Sequence, residues 1–240
     1  MYFSVIIPED GLLRQAVHEL TQAPNSGRKA TPYAEHQWLW RFFPSDADQR
    51  RDFVFRRRDL DGIPRFYVVS HRPPVGSTPA WVVQTRAYAP NLVEGQRLSF
   101  ELFANPVISS KDAAGKSRRH DVVMQAKKRF LAARGLDTWA KWAPQDSRPA
   151  LNDIVQEECA RWLVSRASAH GFTVLAASVD AYQQNIAGAR DIRFSTVNFS
   201  GELVVDDVAL FQQVLFNGLG HAKAFGCGLV LVRSADPADR

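Results

Sequence analysis

The sequence predicts an α+β protein built from two tandem ferredoxin-like (RRM-like) halves, each in the order β-α-β-β-α-β, the split βαβ arrangement. Three observations predict it. Stretches of period 2 and period 3.6 alternate along the chain instead of segregating. The same element order fits twice, over residues 1–92 and again over residues 93–240. Glycine or proline stands at many of the places where the period changes. The repeat lies in element order alone, without visible self-similarity of sequence.

In the first half, residues 1–8 (MYFSVIIP) read as a strand closed by proline. Leu12, Leu13, Ala16, Val17 and Leu20 then recur at helical spacing over residues 10–21. Residues 22–32 (QAPNSGRKATP) form a loop that ends on Thr31 as N-cap and Pro32 in the first turn of a helix over 33–43. Strands over 53–57 and 65–71 flank Asp61-Gly62, a hairpin turn signal. The proline-rich stretch 72–79 is a short helix or a loop, and 81–88 is the last strand.

In the second half, residues 97–108 begin with strict alternation, Leu98, Phe100 and Leu102 against Arg97, Ser99 and Glu101. Ile154, Val155, Ala160, Leu163 and Val164 mark a long helix over 151–170, which Gly171 is placed to end. Residues 172–182 and 192–205 read as strands, the second with a possible break at Gly201. A helix over 206–217 and a strand over 228–233 follow.

Charge is concentrated between the first strand and the long helix of this half. Residues 111–148 carry 10 basic and 4 acidic side chains, a net +6 in a chain whose total is +5. Of the 30 basic residues 23 are arginine, whose planar fork suits phosphate. Such a run is either a solvated face or a polyanion footprint. Residues 111–119 (KDAAGKSRR) have no apolar period and suit a projecting loop or hairpin tip.

Several classes drop out. Apolar runs fall far short of the roughly 20 residues of a membrane helix. The N-terminus has neither the basic nor the apolar region of a signal peptide. Two cysteines, Cys159 and Cys227, are too few for a disulfide framework or a four-ligand zinc site. No HxH or HExxH spacing occurs. The expectation is a soluble, cytoplasmic protein with no metal and no cofactor.

Residues 217–228 (NGLGHAKAFGCG) place Gly218, Gly220, Gly226 and Gly228 around Lys223. Backbone N–H groups with one lysine make a phosphate cradle; the same glycines also suit a tight helix-to-strand connection. Neither a Walker A loop nor a dinucleotide fingerprint fits, since both run from strand to helix. Of the six histidines, His18, His71 and His170 read as structural, while His120 adjoins the basic segment and His221 lies inside the glycine loop. His36 shares one helix face with Tyr33, Gln37 and Trp40. That face is either an aromatic core face with a satisfied histidine or a proton-transfer pair.

Taken together, the tandem halves, G-L-G-H-A-K-A-F-G-C-G-L at 218–229, P-Y-A-E-H-Q at 32–37, the opening MYFSVII and F-E-L-F-A-N-P at 100–106 resemble the CasE family. These are the CRISPR repeat-processing endoribonucleases of the type I-E Cascade complex. The resemblance implies metal-independent cleavage at the 3′ base of the repeat stem-loop by 2′-hydroxyl attack, leaving a cyclic phosphate and a 5′-hydroxyl. The protein then stays on the RNA beside other Cascade subunits. His36 matches the family's catalytic histidine, Tyr33 the partner tyrosine of some members and Arg41 the position of a basic residue that assists in some members. Five residues of α-helix turn through about 140° beyond a full circle, so Arg41 serves if it reaches round or the helix ends early. Lys111, Lys116, Arg118, Arg119, Lys127, Lys128 and Arg129 are expected to grip the stem, and Gly218, Gly220, Lys223 and Gly226 to hold phosphates. The insertion at 22–31 and His221 depart from the family pattern. The competing reading is a non-catalytic RNA-binding subunit of a CRISPR effector complex, for which Tyr33 and His36 would be superfluous. A generic RNA-binding module ranks last, for want of an RNP motif.

Overall fold

The computed structural model describes residues 1–22, 32–44, 46, 48–76, 78–111, 115–143, 147–187 and 192–235. The first half runs β1 (Tyr2–Pro8), α1 (Leu13–Thr21), α2 (Pro32–Leu39), β2 (Phe53–Leu60), β3 (Ile63–Ser70) and β4 (Trp81–Ala87). The second runs β5 (Arg97–Ala104), β6 (Val107–Lys111), β7 (Ser117–Asp121), α3 (Val122–Ala133), α4 (Leu151–Ala167), β8 (Phe172–Ala187), β9 (Ile192–Val205), α5 (Val208–Asn217) and β10 (Val230–Ser234).

Two antiparallel four-stranded sheets result, ordered β2-β3-β1-β4 and β10-β5-β9-β8. Numbering only the four strands of each sheet in chain order, both sheets read 4-1-3-2, the order that a split βαβ requires; β6 and β7 pair apart as a two-stranded sheet. The predicted fold class is therefore the observed one.

Local chemistry sets most of the boundaries. Leu60 pairs with Ile63 across a two-residue turn. Asp61 and Gly62 both take positive φ there, 52° and 76°, which matches the twist of the flanking strands. The Asp121 side chain caps α3 by accepting from the Met124 N–H at 2.7 Å. Asp207 caps α5 in the same way, accepting from Leu210 at 2.9 Å. After α4 the chain tightens into a 3₁₀ turn, Ser168–His170, and stops at Gly171 with φ 76°. A Cβ on Gly171 would lie 2.5 Å from the Asp207 carbonyl oxygen, so only glycine fits.

Four expectations are refined. The strand read over 97–108 divides at Asn105-Pro106 into β5 and β6. The basic region is a hairpin, β6–β7, followed by the helix α3, which buries Val122, Val123 and Ala126 and turns most of its cations outward. β9 is continuous through Gly201. A Cβ there would stand 1.9 Å from the Ala176 carbonyl oxygen, where β8 slips register between Val174 and Ala176; the glycine admits a bulge in the partner strand instead of breaking its own. Between β3 and β4 the described residues form no helix. Of the insertion, residues 23–31 lie outside the described residues.

Each sheet carries its own core. The first is aromatic: Trp38 meets Phe42 at 4.9 Å and Trp81 at 4.5 Å between ring centroids. Val54, Val69 and Leu229 form a third buried cluster joining the two halves. Beside it Arg56, only 6% exposed, lies 3.5 Å from the Glu101 carboxylate and donates to Asn198. Among the described residues no helix is long and apolar enough to cross a membrane.

Candidate functional site

Helix α2 positions His36. As an α-helix it ends at Leu39 and tightens into a 3₁₀ turn over Trp40–Phe42. The helix thus ends early, the condition set for Arg41, and the Arg41 side chain is exposed on that turn. Tyr33 lies in the first turn of α2, and its side chain is outside the described residues.

His36 rests on the aromatic side of the first core. Its ring stands 5.7 Å from Phe53 and 6.1 Å from Trp40, and it stacks over Phe55 at 6.3 Å with planes 10° apart. Burial in this setting penalises the charged form. Burial first, and the positive charge of Arg51 second, push the imidazole down to about 4. At neutral pH the ring is therefore neutral and able to accept a proton. Its neighbour Glu35 is buried, and Arg57 Nη1 donates to its carboxylate at 2.6 Å. Burial raises the Glu35 carboxyl against the pull of Arg57.

The glycine loop reaches the same place from the other half. A Cβ on Gly226 would meet the Phe55 ring at 3.3 Å, and one on Gly220 the Trp162 ring at 3.3 Å. A Cβ on Gly218 would lie 2.9 Å from the Gly228 carbonyl oxygen, and one on Gly228 would lie 2.8 Å from the Leu219 carbonyl oxygen. The loop is strapped down further, since Leu219 N–H donates to Gly228 at 2.8 Å and Gly228 N–H donates to Phe103 at 2.7 Å. The close approach that four glycines predict is, in the described structure, an approach to the protein's own rings and backbone. The exposed side chain of the loop is His221, and Lys223 is half-buried two residues on.

Positive groups run along this edge. Burial first, then the charges of Arg119 on β7, Arg166 on α4 and Lys223, hold His221 below the ordinary histidine value. Burial and then Arg51 hold the Lys223 ammonium below the ordinary lysine range. Since Arg51 also acts on His36, the hairpin, α4, the glycine loop and α2 share one positive field. Arg51 and Arg166 do not stand out in the sequence. A signal exists for Arg51: it precedes Phe53 and Phe55 by two and four residues, which on a strand places it on their face.

The hairpin forms as the basic segment suggested. Ser109 pairs with Arg119 and Ser110 with Arg118, and Lys116, Arg118 and Arg119 are exposed. Lys111 ends β6, with its side chain outside the described residues. The other three predicted contacts sit on α3. Lys128 is exposed there, whereas Lys127 lies 4.9 Å over the Trp139 ring and Arg129 donates to Glu158 at 2.6 Å. Trp162 ties these parts together: its indole N–H donates to the Val107 carbonyl at the base of the hairpin at 2.9 Å. Arg166 covers its ring at 4.3 Å.

Other nucleophiles are withdrawn. Burial, then the Asp121 and Glu158 carboxylates, push the Cys159 thiol up to about 12, and burial raises Cys227 as well. Among the described residues no three His, Cys, Asp or Glu side chains gather as a metal ion would need.

Comparison with known proteins gives a consistent picture. The family model for CRISPR associated proteins matches residues 1–234. The CRISPR system Cascade subunit CasE of Escherichia coli (strain K12) is 27% identical over 202 residues, covering 82% of this chain and 89% of that protein. Among solved structures, the CRISPR endoribonuclease Cse3 bound to a 19-nucleotide RNA superposes with a TM-score of 0.63 at 20% identity, covering 97% of this chain and 98% of that one. Thermus thermophilus Cse3 on an RNA representing a pre-cleavage complex gives 0.62 at 21% identity, covering 97% and 98%. The E. coli K-12 protein Cas6e gives 0.55 at 21% identity, covering 98% and 100%. At these identities the superpositions establish the shared fold.

Proposed function

We propose, since this chain belongs to the family of CRISPR associated proteins, that it is an endoribonuclease acting on CRISPR precursor RNA. It cuts within each repeat at the 3′ base of the stem-loop and stays on the product as a cytoplasmic Cascade subunit. One observation carries the reading: the exposed cationic hairpin, the glycine loop and a neutral histidine are joined by one positive field. In this reading residues 1–92 form the domain that carries the catalytic helix, and residues 93–240 the domain that carries the basic hairpin and the glycine loop.

The reaction asks for little beyond proton transfer and charge stabilisation. The 2′-oxygen beside the scissile phosphate forms a bond to phosphorus and loses its proton. The bond from phosphorus to the 5′-oxygen breaks, and that oxygen gains a proton. Neutral His36 takes the 2′-hydroxyl proton as general base, and Tyr33, three residues before it on α2, orients or assists. Lys223 and Arg51 stabilise the charge that grows on the phosphate oxygens, with Arg41 and the N–H groups of Gly220 and Gly226 as further phosphate contacts; the Gly218 N–H, expected to join them, is taken by the Val214 carbonyl at 2.8 Å, where it caps the helix Val208–Asn217. Lys111, Lys116, Arg118 and Arg119 hold the stem by its phosphates, as an A-form duplex with a closed major groove demands. Lys127, Lys128 and Arg129 extend that surface along α3. No step of this scheme uses a metal ion.

The test is incubation with a repeat stem-loop RNA in excess EDTA, beside the same RNA carrying a single 2′-deoxy nucleotide before the expected cut. One cut ending in a 2′,3′-cyclic phosphate, absent from the deoxy RNA, is expected. Tight binding with both RNAs intact would replace this reading with that of a non-catalytic subunit.

A further inference from the structure

Next to His36 lies a cleft of about 280 Å³ that the proton-transfer scheme does not use. The first half supplies Glu35, Arg57 and Asp59 to it; the second supplies the Phe194 and Phe225 rings with Gln183, Asn185 and Thr196. Gly226 lines it too, and the Phe55 ring beneath Gly226 is the ring on which His36 stacks. The cleft is therefore one residue along the chain and one ring in space from the catalytic imidazole.

Its chemistry selects against phosphate. Each nitrogen of the Arg57 guanidinium donates to a carboxylate: its Nε and Nη2 fork onto Asp59 at 2.7 and 2.9 Å while Nη1 donates to Glu35. Two carboxyl groups share one cation, so acceptor capacity is in excess, and among the described lining residues Arg57 is the single cation. Opposite them Phe194 and Phe225 stack at 4.5 Å between centroids with planes 30° apart. The amide of Gln183 is exposed, and Asn185 is anchored by donating to Thr196 at 2.9 Å. An aromatic platform rimmed with carboxylates and amides is what a nucleobase with an exocyclic amino group requires, for stacking and for donation to acceptors.

We infer that this cleft is a base-binding subsite for an unpaired nucleotide of the substrate, with preference for adenine, cytosine or guanine over uracil. The inference rests on the endoribonuclease reading. With the cut at the 3′ base of the stem, the unpaired nucleotides nearest His36 are the first ones downstream. A base held there is anchored in the substrate and lost with the leaving fragment. The subsite thus favours uncut RNA over the trimmed hairpin.

The experiment measures binding of a non-cleavable 2′-deoxy stem-loop with and without two downstream nucleotides. The extension is expected to tighten binding by ~10-fold, the scale of one stacked base. An abasic site at one of the two positions should remove that gain, and uracil there should reduce it. In Phe194→Ala and Gln183→Ala the gain should shrink for the extended RNA, while binding of the bare stem-loop stays as in the wild type. Gln183 is exposed, so its variant does not endanger folding. An extension that adds nothing to the wild type, or adds as much to both variants, overturns the subsite. Cutting of the all-ribose RNA is scored separately, so failure of the endoribonuclease reading is seen on its own.

Discussion

His36 is held neutral by its surroundings, so acid is what unsettles it. A free histidine titrates near 6.5, whereas this one is pushed down to about 4. Between those values the unfolded chain binds a proton that the folded chain does not. The stability carried by the neutral ring is intact above pH 6.5 and is lost as pH falls toward 4. The expected loss is about 2 kcal/mol after solvent screening. Urea titrations at pH 7 and pH 4.5 should show a smaller loss in His36→Leu than in the wild type. His36→Ala should abolish cutting and leave RNA affinity within about 3-fold; if both vanish together, the histidine is only a core residue. Arg51→Ala removes a positive neighbour and so raises the histidine pKa. The acid limb of kcat/KM against pH should move to higher pH, a shift that Arg41→Ala, acting from an exposed turn, should not reproduce.

At the scale of elements, the proposed grip on RNA is tested at the hairpin and the glycine loop. Replacing Arg118 and Arg119 with glutamine should lower the slope of log K against log salt by roughly 0.7–0.9 for each phosphate that is no longer neutralised. Gly220→Ala meets the Trp162 ring and a φ of 80°. Strain of this kind costs on the order of 1–2 kcal/mol, readable as a lower urea midpoint. The elements themselves are largely legible in the sequence. Alternation exposes β5, helical spacing exposes α1 and α4, and Asp61-Gly62 exposes the β2–β3 turn. Legibility ends where a single residue answers to a distant partner. Gly201 resembles a strand breaker until Ala176 is seen against it. α3 is hidden because its apolar side is short and its cations dominate the composition. The outward helix end at Arg41 depends on how far the α-helical turn persists, which packing of Phe42 and Phe43 decides.

Across the whole molecule, the site exists only because two halves meet. His36 and Arg51 come from one, Lys223 and Gly226 from the other, and Val54, Val69 and Leu229 seal the seam. Leu229→Ala should cost about 2–5 kcal/mol and depress cutting at low temperature, where the chain is still folded; a fully active variant would mean the halves need not be rigidly joined. The sequence discloses the histidine, the lysine and the glycines, because motif spacing records them. It does not disclose the base cleft, whose lining is set by the seam, or Arg166, whose bond to the Val107 carbonyl spans 59 residues of chain; Arg51 shows only through its spacing from Phe53 and Phe55.

Trp162 gives this architecture a voice of its own. The indole is hydrogen-bonded to the foot of the hairpin, capped by Arg166 and pressed against Gly220. Any strand that pulls on the hairpin or the loop changes the surroundings of that one chromophore. Ultraviolet emission of the unlabelled protein should therefore shift as RNA is added, and Trp162→Phe should remove the larger part of the signal. Occupancy of the grip could then be followed in real time, in cut and uncut complexes alike, without a dye.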